Sequence, residues 1–260
     1  MHKSLSVFVI FASFAGAAGV CRADDLTVVS NVITNGQPSG ADTSYISSDH
    51  IRTSHPQGTD MIIDLKAGVM TNINDKKKTY YVVTKQDMAD MQAKMAERMN
   101  DPKMKQGMAF MQGMSTSMSA STEVKKTGVT RKVAGYACEE WLISMGPMMS
   151  MTECVTSELK YPVQSWEALA AFNESMRKSM SGFGPSAKSG EEFAEKLKSV
   201  KGFPVASSTT VTVAGISKTT IASEVTEVRR TPIPASTWDV PAGYSKVENP
   251  MLRSFQEHGH

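Results

Sequence analysis

The sequence predicts an α+β fold in which a curved antiparallel sheet carries helices packed on one face. Three observations point there. Short β-rich runs separated by turn signals fill Leu26 to Val83, methionine stripes at helical spacing follow Thr84, and Thr- and Val-rich strands return from Phe203 to Val247. No regular alternation of strand and helix asks for a parallel sheet.

The first strands read LTVVSNVIT, TSYIS, HIRTS, MIIDLKAG, VMTNI and TYYVVT. Turn signals at Asn35-Gly36, Pro38-Ser39-Gly40, Pro56-Gln57-Gly58 and Asn74-Asp75 punctuate them, which makes an antiparallel meander the simplest assembly. Lys76, Lys77 and Lys78 fall in the last of these turns as a solvated charge run. Thr84 then caps a helix starting at Lys85, whose stripe is Met88, Met91, Met95 and Met99. Pro102 opens a second helix with Met104, Met108, Met111, Met114 and Met118. Strands resume with STEVKKTGV, KVAGYACEEWLIS and MMSMTECVTSEL. Ser165 begins a helix with Leu169, Phe172, Met176 and Met180 on one side, and a Gly/Ser/Pro-rich link leads to a short helix around Phe193 and Leu197. The expected organisation is one domain over 24–260 with helical insertions at about 85–118 and 165–198.

Residues 1–23 read as a cleaved secretory signal: His2 and Lys3, an uncharged run from Leu5 to Val20, and a small-residue end at Ala23. The run suits no permanent span, and no later segment approaches its length, so no transmembrane segment is expected after its removal. Val20 before Cys21 is a poor setting for lipid attachment. Lys3 and Arg22 leave with the signal, which balances the 26 acidic residues against as many basic ones. A neutral chain without a basic stripe argues against a nucleic-acid partner. A periplasmic or secreted location follows as the expectation.

Two cysteines remain, Cys138 and Cys154, bound for an oxidising compartment. Their midpoint falls at Gly146-Pro147, so a hairpin turning there sets them opposite each other, and a structural disulfide is expected. Alternation places Glu139, Trp141 and Ile143 on one face with Met149, Met151 and Glu153, with Trp141 opposite Met151.

The stretch MIIDLKAGVMTNINDKKKTYYVVT at 61–84, GYACEEW at 135–141 and TWDVPAGY at 237–244 resemble an uncharacterised family of secreted bacterial proteins, itself similar to the periplasmic lipoprotein carriers (LolA-like). The resemblance implies an unclosed β-barrel with helices on its concave side, where carriers of this fold hold acyl chains.

Nineteen methionines, nine of them between Met88 and Met118, are the chain's most unusual feature. Flexible thioethers line adaptable apolar grooves, and stripes at helical spacing also build ordinary cores. The groove reading names Met88, Met91, Met95, Met99, Met104, Met108, Met111, Trp141, Ile143, Met149, Met151, Phe172 and Met176 around a lipid or acyl-chain ligand. Two alternatives are a structural or partner-binding envelope protein and a handler of a soft metal such as copper. No cofactor, metal site or catalytic group is expected. His50 and His55 fall on opposite strand faces, no Gly-x-Ser-x-Gly is present, and GFGPSAKSG at 182–190 lacks the Gly-Lys-Ser/Thr ending of a phosphate loop. A non-enzymatic binding protein is the resulting expectation.

Overall fold

The computed structural model describes residues 25–99, 122–145, 149–162, 195–213, 217–250 and 252–253. Within them one twelve-stranded sheet dominates. Its first half is the meander β1 (Leu26–Thr34), β2 (Gln37–Ile46), β3 (His50–His55), β4 (Thr59–Asp64), β5 (Val69–Asn74) and β6 (Thr79–Val83). Helix α1 (Lys85–Met99) leaves from β6. The second half comprises β7 (Thr122–Val133), β8 (Tyr136–Met145), β9 (Met149–Thr156), β10 (Phe203–Val213) and β11 (Ser217–Arg229), and β12 (Ser245–Lys246) closes the chain's path. The strand order is β12-β6-β5-β4-β3-β2-β1-β11-β10-β9-β8-β7, so pairing of β1 with β11 joins the halves. Every pair is antiparallel except β12 with β6.

The expected helices packed on a concave face are not what the fold shows. The described residues are 59% strand against 13% helix, an open sheet. The helical period holds from Lys85 to Met99, and the stretch 195–197 makes one further helical turn. Among the described residues, most of the apolar ones lie instead on long two-faced strands. The remainder of both expected insertions lies outside the described residues, as does the signal segment.

Local chemistry explains the elements that matched. Asn35 and Gly36 both take positive φ, 51° and 79°, which a tight β1–β2 turn demands. Thr84 Oγ1 accepts the Asp87 amide at 3.1 Å, and Asp87 Oδ2 accepts the Thr84 amide at 2.7 Å, a reciprocal cap on α1. Pro38, Ser39 and Gly40 are not the expected turn. They belong to β2, where the register with β1 slips between Val32 and Ile33. Gly40, at φ 102°, lies where a Cβ would come within 2.5 Å of the Pro56 ring.

The buried core gathers Leu26, Val28, Ile46, Val133, Cys138, Cys154, Leu159, Phe203, Val205, Ala206 and Val225. The sheet curls around part of it. Although three strands separate them, β7 and β11 are joined by an ion pair between Arg131 Nη1 and Glu224 Oε2 at 2.7 Å.

What crosses the first half is an extended strap. After Arg229 the chain reads RTPIPASTWDVPAGY, and its three prolines suit neither a helix interior nor a central strand. It is tied down along its length. The Ile233 amide donates to Asp25 at 3.1 Å, the Thr237 carbonyl accepts from Arg52 at 2.8 Å, and the Trp238 ring stacks on His50 at 5.2 Å. Tyr244 donates to Asp75 at 2.9 Å, and this hydrogen bond raises the Tyr244 pKa. The Ser245 and Val247 amides then donate to the Lys78 and Tyr80 carbonyls and cover the β6 edge.

Candidate binding face

The face of the second half that carries Trp141 is set by register. Across β8 and β9, Trp141 pairs with Glu153, Ile143 with Met151 and Met145 with Met149. Directly paired residues share a face, so Trp141, Ile143, Met149, Met151 and Glu153 lie together. The same face continues to Val124 and Lys126 on β7, opposite Ile143 and Trp141. On β10 it continues to Ser207, Thr209 and Val211, opposite Glu153, Met151 and Met149. Thr209 in turn faces Ile221 on β11. The result is a diagonal apolar stripe over five strands. Ile143 is fully buried in its floor, Trp141, Met149 and Met151 are half-buried, and Val211 and Ile221 are exposed.

Polar groups frame the stripe unevenly. Lys126 Nζ lies 5.4 Å from the Trp141 ring centroid and pairs with Glu139 at 2.7 Å. Glu153 is different: desolvation raises its pKa. Nearby, burial and the Glu153 charge push the Tyr161 hydroxyl up to about 12.

Cys138 and Cys154 are disulfide-bonded, with Cα atoms 5.3 Å apart. The alternation of β8 and β9 puts them on the face away from Trp141, where the curled sheet buries them. The register is two residues from the expected one: Glu140, not Cys138, is opposite Cys154, and Trp141 meets Glu153 instead of Met151. A shift of two preserves every face assignment.

Of the remaining expected site residues, Met88 and Met91 are half-buried on α1, and Met95 and Met99 belong to the same helix. That helix starts at the opposite end of the strand order from β8 and β9. Met104, Met108, Met111, Phe172 and Met176 lie outside the described residues. Sequence reading missed Glu153 as a site residue, along with Ser207, Thr209, Val211 and Ile221. The acid among alternating methionines was the available signal, whereas the β10 and β11 residues needed a register that no local pattern supplies.

Residues 37–244, which include this face, match the family described as a domain of unknown function (DUF4412). The chain belongs to that family. No curated protein matches this DUF4412 chain. Among solved structures, one of PNGF-II in a C2 space group is similar at 11% identity and a TM-score of 0.42, over 90% of this chain. The chain spans only 32% of that protein's length. An uncharacterized conserved protein from Thermus thermophilus is similar at 7% identity and a TM-score of 0.42, over 86% of this chain and 90% of its own. No helix among the described residues is long and apolar enough to cross a membrane.

Proposed function

We propose that this DUF4412 protein is an exported, non-enzymatic binding protein whose ligand is hydrophobic, held on the stripe that runs from Val124 to Ile221. Its sheet is read as a relative of the half-barrel of periplasmic lipoprotein carriers. The single observation that supports this most is the continuity of the stripe. One register aligns Trp141, Ile143, Met149, Met151 and Val211 on one face while the disulfide stiffens the other. Methionines beside an aromatic ring make an apolar surface that adapts to flexible chains. The two cysteines and the leader-like first residues fit export.

Native mass spectrometry of the protein taken gently from its own cell envelope tests the reading. An acyl-chain or similarly apolar adduct is expected on the native chain and absent from a Met149→Lys/Met151→Lys variant that keeps its disulfide and its sheet circular dichroism. Retention of the adduct by that folded variant would remove the stripe as the site, and a copper adduct would move the methionines to metal handling.

A further inference from the structure

The stripe carries one charged group that no described residue answers. Glu153 sits on β9 between Trp141 on β8 and Ser207 on β10, next to Met151 on the same face. Its carboxyl is desolvated, yet no hydrogen bond or ion pair reaches it from the described residues. The cation closest to it in the register, Lys126 opposite Trp141, is committed to Glu139 at 2.7 Å. Tyr161, the other titratable group that senses it, stays protonated up to about pH 12 and brings no charge.

The buried acids among the described residues, Asp25 and Asp60, are not left in that condition. Asp60 is held by Arg52 and by the Ser54 hydroxyl at 2.8 Å, and Asp25 by the Ile233 amide. A carboxylate half-withdrawn from water costs free energy unless a partner answers it, and perturbed, unpaired acids mark sites of function. The surroundings of Glu153 restrict what the partner can be. Trp141 and Met151 offer an apolar flank for a chain, and the acid offers a counter-charge at its end.

Building on the reading of this stripe as a hydrophobe site, we propose that Glu153 receives the headgroup and that the ligand class is a cationic amphiphile, an alkyl chain ending in an ammonium group. The ammonium donates to the Glu153 carboxylate while the chain runs along Trp141, Met151 and Val211. A neutral alcohol makes only the apolar part of this contact, and a fatty-acid carboxylate meets like charge.

Isothermal titration calorimetry of the disulfide-bonded protein separates these cases, using dodecylammonium, dodecanol and dodecanoate below their micelle-forming concentrations. Dodecylammonium should bind about tenfold tighter than dodecanol, with dodecanoate weakest. Glu153→Gln should erase the preference for dodecylammonium over dodecanol. Ser207→Lys, which supplies an internal cation directly across the strand pair, should erase it with the acid still present. Equal affinity for the three probes, or a preference that survives in both folded variants, would overturn the headgroup assignment while leaving the hydrophobe site standing. Failure of all three probes to bind would overturn both.

Discussion

Replacing Arg52 by alanine tests whether the strap is held by a buried charge or merely lies on the sheet. The guanidinium is 14% exposed and Asp60 only 6%. Nε donates to Asp60 Oδ2 at 3.0 Å, Nη2 reaches the same oxygen, and Nη1 donates to the Thr237 carbonyl at 2.8 Å. Arg52→Ala leaves Asp60 buried with only the Ser54 hydroxyl to answer it, and breaking a buried pair from one side costs about 3–5 kcal/mol. In a domain of this size that lowers Tm by roughly 6–20 °C. The double variant Arg52→Met/Asp60→Asn removes the charge as well as the pair and should recover most of the loss. About 1 kcal/mol should remain missing for the abandoned Thr237 carbonyl. Equilibrium urea unfolding measures both. Hydrogen exchange at the Ser245 and Val247 amides, which the strap brings to Lys78 and Tyr80, reports whether the strap has lifted. A loss under about 1 kcal/mol with those amides still protected would refute the argument, as would a double variant no better than the single.

Glu153→Gln should stabilise the free protein at neutral pH by on the order of 1 kcal/mol, about 2–4 °C in Tm, because it removes a desolvated charge. The sign follows from the raised folded-state pKa: the stability that the protonated acid contributes is complete below its unfolded value of 4.5 and is lost as pH rises through the folded value. Melting curves at several pH values should therefore converge for the two proteins in acid and diverge above it, and parallel curves would count against the assignment. Gly202→Ala should destabilise by about 2–3 kcal/mol in chemical unfolding. At φ 131° a Cβ would come within 2.5 Å of the Thr156 carbonyl and 2.7 Å of Val155, and a neutral result would mean that the backbone at Gly202 yields to the added methyl.

Where periodicity and turn chemistry are local, the sequence was legible. β1 was readable end to end because nine residues of strand alternation stop at Asn35-Gly36, whose positive φ only such residues adopt easily. The start of α1 was readable because Thr84 and Asp87 satisfy each other within one turn. Ambiguity arose where one residue type serves two structures. Pro38 to Gly40 suit a turn and equally a bulged edge, and only the Pro56 ring packed over Gly40 decides. The Ala134-Gly135 turn, at φ 49° and 87°, was hidden inside KVAGYACEE, which reads as one continuous strand. The cysteine hairpin was placed on the right faces with its register two residues out, since midpoint symmetry fixes parity and not the loop. The strap was illegible for a different reason. Its contacts reach from Thr237 to Arg52 and from Tyr244 to Asp75, and no local pattern encodes them.

The two halves of the sheet handle buried charge in opposite ways, and that contrast is the strongest reason to look for a ligand on the second. In the first half, Arg52 and Asp60 answer each other beneath a strap that also satisfies Asp25, so desolvated charge there serves to hold chain against chain. In the second half, the surface charges Lys126, Glu139, Arg131 and Glu224 are paired, while the more withdrawn Glu153 has no partner among the described residues. A chain that only needed to pack the β8–β10 face could place threonine or valine at 153, as it does at Thr209 and Val211 across the next pair. An acid there is partly withdrawn from water, and in the reading proposed above a cationic ligand answers its charge.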